Sequence, residues 1–169
     1  MSDASRRLVL GVGNPDRGDD GVGRLVARLL RGRVPMDVRV EEAAGDAAGV
    51  IEKLQGVDWA ILVDAAVSGA PVGTVHRVDC IAGDALPSSG GTSSHGLGVA
   101  EAVALARALG CLPRWCVIYA VEGAYFRPGS DVSRQVADAA ADVAARVAAE
   151  FACTSPAGAG EVEAPWRRG

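Results

Sequence analysis

Lysine is nearly missing from this 169-residue chain, aromatic residues make up only 4% of it, and histidine stands at positions 76 and 95 alone. Lys53 is the single lysine, so arginine carries the positive charge. Beside so much Ala and Gly this is compositional bias, and no arginine counts as functional on its type alone. A core short of aromatics has to be built from Ala, Val and Leu, and with 49% hydrophobic residues the chain is globular. Its net charge of −4 gives no electrostatic footing for nucleic acid. No run reaches the roughly 18 to 20 apolar residues that cross a bilayer. The polar stretch 1–7 lacks the apolar centre of a signal peptide. Cys80, Cys111, Cys116 and Cys153 form no CxxC pair and fall in different predicted elements. That argues against zinc and against a disulfide framework, and leaves buried free thiols. The expectation is a cytoplasmic monomer with no membrane or nucleic-acid partner.

Short apolar runs punctuated by glycine alternate with stretches of helical periodicity. The runs at 8–13, 38–40, 59–63 and 115–121 are expected strands, with a further one, possible at an edge, at 74–78. Helices are expected at about 21–30, 47–54, 95–109 and 131–151. Strand–helix alternation implies parallel pairing with right-handed crossovers. The predicted fold class is α/β, a three-layer sandwich with a mostly parallel twisted sheet between helices. One domain fills 1–151, and the Gly-, Pro- and Ala-rich tail 152–169 is expected to be disordered and dispensable for chemistry.

In such sheets ligands bind beyond the carboxyl ends of the strands. That rule selects residues 11–21, the neighbourhood of Asp64, and the loop leading to His95. Gly11-x-Gly13 between a strand and a helix is the start of a dinucleotide fingerprint, but the third glycine falls on Asp16, with Asp19 and Asp20 close behind. Crowded carboxylates repel a pyrophosphate at a helix N-terminus. Three acids there suit a cation or a proton-transfer task instead, with Asp19 a candidate helix cap and Asp20 facing the cleft. Asp64 closes the apolar run 59–63, where a carboxylate is costly unless it is paired, liganded or bonded to the amides of 65–68. His95 opens a helix after Ser93 and Ser94, which read as caps. The positive helix end favours a neutral imidazole, the metal-binding form. His76 reads as a solvent-facing spectator on a strand. Two carboxylates and one imidazole from three connections make an O,O,N set suited to a borderline divalent ion.

These residues also resemble a known family. Gly11-Val12-Gly13-Asn14-Pro15-Asp16-Arg17-Gly18-Asp19-Asp20 is similar to the opening motif of hydrogenase maturation endopeptidases, GxGN followed by four variable residues and a pair of acids. Ile61-Leu62-Val63-Asp64-Ala65 resembles the second motif, and Ser93-Ser94-His95-Gly96-Leu97-Gly98 the third. The likeness runs over about 7–151 and departs at 41–46, where the family often carries a Gly-Gly-Thr-like turn. The resemblance implies a phosphorylase/hydrolase-like α/β fold and an aspartic-type or metal-dependent endopeptidase. Such an enzyme removes the C-terminal extension of a [NiFe]-hydrogenase large-subunit precursor after nickel has been inserted. It further implies that Asp20, Asp64 and His95 recognise the nickel and serve catalysis. The nickel belongs to the substrate, so no permanently bound cofactor is expected. Two other functions remain open on the sequence: a maturation chaperone that grips the precursor without cutting it, and a nucleotide-binding domain.

Overall fold

A computed structural model describes residues 6–85 and 97–153. Five strands, β1 (Arg7–Val12), β2 (Val38–Ala43), β3 (Trp59–Ala66), β4 (Val75–Asp79) and β5 (Trp115–Glu122), form one sheet in the order β2-β1-β3-β5-β4. Every pair is parallel except β4 with β5, so β4 is an antiparallel edge strand. Helices α1 (Val22–Leu30), α2 (Ala47–Leu54), α3 (Leu97–Ala108) and α4 (Arg134–Cys153) cover the two faces.

The layers follow from strand periodicity. Side chains alternate across a strand, so Leu8, Leu10, Leu62 and Ile118 meet Val50 and Leu54 of α2 and Val99, Ala102 and Ala106 of α3. Their neighbours Val9, Ile61, Val63 and Val117 meet Val22 and Val26 of α1 and Val136, Val143 and Val147 of α4. Central strands hidden on both faces are therefore continuous apolar runs. Trp59 and Trp115, register partners where β3 and β5 begin, stack with ring centroids 5.1 Å apart. The α/β sandwich expected from the alternation is the fold observed. No helix among the described residues is long and apolar enough to cross a membrane.

Several boundaries differ from the sequence expectation. β3 does not stop at Val63 but runs through Asp64 to Ala66, because β5 offers a pairing partner as far as Glu122. β2 likewise continues past Val40 to Ala43 along β1. The polar loop after β1 contains a single 3-10 turn, Gly18–Gly21. α4 begins at Arg134, and residues 123–133 are a loop. Residues 86–94 of the expected loop before α3, with its Ser93–Ser94 cap, His95, and 154–169 of the expected tail lie outside the described residues, while 152 and 153, expected in the tail, are the last residues of α4.

Candidate functional site

From β1 the chain moves outward to β2, then crosses back to β3 on the other side of β1. The carboxyl ends of β1 and β3 therefore flank the topological switch point, where an open α/β sheet leaves a crevice. Glycines bring the following turn down onto it. A Cβ on Gly23 would lie 2.2 Å from the Val63 carbonyl oxygen and 2.3 Å from that of Val12, so α1 can begin here only on a bare backbone. Gly13 has φ of +129°, and a Cβ there would lie 2.0 Å from the Asp20 carbonyl oxygen. The 3-10 turn is thus pressed against the strand ends, and Arg24 Nε ties it down by donating to the Gly13 carbonyl at 2.7 Å.

The two adjacent acids of that turn have separate roles. Asp19 is fully buried and accepts hydrogen bonds from the amides of Ala124 and Tyr125, both at 2.9 Å, and of Ser133 at 2.8 Å. Burial alone would raise its pKa, but these amides outweigh it and hold the carboxyl below its ordinary value. Asp19 does not cap α1, whose N-cap Gly21 receives no side-chain bond. It binds instead the amide of Ser133, whose own carbonyl accepts from Ala137 N at the start of α4. Asp16 is exposed, and its amide closes a turn on Asn14 Oδ1 at 2.9 Å, so the expected three-acid cluster reduces to Asp20.

Asp20 is 9% exposed and accepts from the Asn14 amide at 3.0 Å. Asp64, 7% exposed, faces the α2–α3 side with Ala60, Leu62 and Ala66. Of the amides after it, only that of Ala65 reaches the carboxylate, at 2.8 Å. Burial pushes the Asp64 pKa up to about 8; the Ala65 amide opposes this and the nearby Asp20 charge adds to it. The turn after β1 and the end of β3 thus bring two of the three candidate residues together.

His95, the third, lies outside the described residues. The first described turn of α3 does open at this rim. A Cβ on Gly98 would lie 1.8 Å from the Gly45 carbonyl oxygen, and Gly45 in turn packs beside Val12 and Gly13. Among the described residues no three His, Cys, Asp or Glu side chains are grouped to hold a metal ion.

His76 is not the solvent-facing spectator that the sequence suggested. Its side chain is 28% exposed, and Nε2 lies 2.9 Å from Oε1 of Glu122, a residue only 1% exposed. Ser68 donates to the same carboxylate through its amide at 3.0 Å and through its hydroxyl. Glu122 was assigned no role from the sequence, although it ends an apolar run on β5 much as Asp64 does on β3. Cys80 and Cys116 are buried free thiols as expected, but Cys111 is half-buried and Cys153 exposed.

The fold is thus of the open α/β class, with two buried carboxyl groups beside its switch point. The comparisons narrow the class. Residues 24–150 match the family model HycI, hydrogenase maturation protease. The hydrogenase expression/formation protein HupD of Thiocapsa roseopersicina is 31% identical over 120 residues, 68% of this chain and 53% of that protein. The chain thus spans about half the length of this curated relative. The hydrogenase maturating endopeptidase HybD from E. coli superposes with a TM-score of 0.68 at 25% identity, over 87% of this chain and 92% of its own. The [NiFe] hydrogenase maturation protease HycI from Thermococcus kodakarensis KOD1 shares the fold, with a TM-score of 0.66 at 22% identity over 89% and 95%. The chain belongs to the hydrogenase maturation protease family.

Proposed function

We propose that this protein is an endopeptidase that removes the C-terminal extension of a nickel-loaded [NiFe]-hydrogenase large-subunit precursor. Asp20, Asp64 and His95 would recognise the nickel, which arrives as part of the substrate. The observation that carries this reading is the Asp64 carboxyl, buried beside Asp20 with its pKa pushed up to about 8. Among the described residues neither acid has a cationic partner, and two acids brought together in this way burden the fold. A divalent ion docking between them would displace the Asp64 proton and offset the repulsion. The carboxyl groups at the Gly-rich turn argue against a phosphate ligand there. Docking would fix the scissile peptide beside the metal, where positioning lowers the barrier and the ion or a neighbouring carboxylate can polarise the carbonyl or activate water.

The test is incubation with a large-subunit precursor, with and without nickel, followed on a gel. Shortening of the nickel-loaded precursor alone is expected. Tight binding with the precursor left whole would overturn the endopeptidase reading and favour a non-cleaving chaperone.

A further inference from the structure

Three adjacent strands place a polar row beside the candidate site. Asp64 of β3 pairs with Ala120 of β5, and Ala120 pairs with His76 of β4. Even-numbered residues of all three strands share the α2–α3 face, as Leu62, Ile118 and Val78 show in the core. Asp64, His76 and Glu122 therefore stand on one face at one end of the sheet, with Ala120, a small side chain, between the first two. Two strand spacings put the Asp64 and His76 backbones about 10 Å apart. Roughly three residues of extended peptide cover that distance.

The His76–Glu122 pair has the arrangement of a proton-transfer dyad. Glu122 accepts from Ser68 N, Ser68 Oγ and His76, the pattern of an ionised carboxylate fixed by three donors. It holds the proton of His76 on Nε2, so that Nδ1 carries the lone pair. Among the described residues Nδ1 has no hydrogen-bond partner. Glu122 is sealed in, whereas His76 is the member of the pair that reaches solvent. The bond to Glu122 also stabilises the imidazolium that forms once Nδ1 takes up a proton.

We propose that His76, oriented by Glu122, is the general base and acid of the peptide-bond hydrolysis, which rests on the endopeptidase reading above. Nδ1 takes a proton from the attacking water as its oxygen bonds to the scissile carbonyl carbon. It then passes that proton to the departing amide nitrogen as the C–N bond breaks. One water is consumed, and the carboxylic acid and amine formed exchange a proton and leave as carboxylate and ammonium. Glu122 and Ser68 are positioning residues in this scheme.

The experiment is single-turnover cleavage of nickel-loaded precursor by the full chain and by His76→Gln, His76→Ala and Glu122→Gln, with precursor binding measured in parallel. His76→Gln keeps a donor toward Glu122 and guards against simple misfolding. Both His76 variants should bind precursor as the parent does and cut it on the order of 100-fold more slowly or worse. Free imidazole should restore part of the rate to His76→Ala but none to His76→Gln, in which the space is filled. Glu122→Gln should lose rate without rescue. Cutting by His76→Gln at the parent rate, or failure of imidazole to rescue His76→Ala, overturns the proposal for His76 and leaves the endopeptidase reading standing. A parent chain that leaves the precursor whole removes both.

Discussion

Replacing Asp64 with Asn should stabilise the fold while it ends the proposed cleavage of the precursor. An Asp carboxyl ordinarily titrates near 3.8, and burial carries that of Asp64 to about 8. At pH 7 the unfolded chain has released this proton and the native chain still holds it. The native state binds more protons, so stability falls as pH rises between the two values. Each pH unit of that interval costs about 1.4 kcal/mol, and from 3.8 to 7 the sum is about 4 kcal/mol. Asn does not titrate, yet its Oδ1 can still accept from the Ala65 amide. Denaturant unfolding of both proteins from pH 4 to pH 9 is the assay. Near pH 4 the two should be about equally stable. The variant should draw ahead up to pH 8, and the gap should then level off. At pH 7 its Tm should stand about 10 °C higher, at the 2–4 °C per kcal/mol of a domain this size. Asp20→Asn should lower the Asp64 pKa and shrink the gap, because the Asp20 charge contributes to the rise. A gap that does not change with pH, or a variant less stable than the parent at pH 7, would refute the reasoning.

Asp19→Ala strands three buried amides and should cost about 3 kcal/mol or more in denaturant unfolding. Because the Asp19 carboxyl is held below its ordinary value, its contribution is complete above pH 4 to 5 and fades as pH falls through the native pKa, which acid titration of the parent and the variant would show. Gly23→Ala drives a Cβ into the Val12 and Val63 carbonyls and should unfold the protein or cost more than about 4 kcal/mol, read by Tm. A thiol reagent should modify Cys153 in the native protein and reach Cys80 and Cys116 only on denaturation, which peptide mapping would locate.

The layers were legible because each central strand is apolar on consecutive residues and each helix has one apolar stripe. Those patterns do not depend on which elements become neighbours. The ends of β2 and β3 were hidden because pairing there depends on another strand. Glu41, Glu42 and Asp64 look like loop residues in isolation, yet β1 and β5 supply ladders that keep them extended. Secondary structure at a sheet's carboxyl end is thus partly a tertiary property. The strand ends that resist prediction are the ones that carry the candidate site.

The polar residues divide along the same line. Asp20 and Asp64 stood out as candidates because a carboxylate close to the end of an apolar strand has no local reason to be there. Asp19 has the same local appearance as Asp20, and the difference between them is made by Ala124, Tyr125 and Ser133, more than a hundred residues away. His76 looked idle because its partner lies 46 positions along the chain, on a strand that had been ended one residue too soon. Asp19 and Glu122 are both deeply buried and both have their oxygens satisfied by several donors, so each is compatible with a stable fold. Asp64 accepts one amide and faces a like charge. Among the described residues Asp20 and Asp64 are the buried acids at this end of the sheet that accept a single amide each, and in the proposed reading a divalent ion brought by a substrate would take the place of the Asp64 proton.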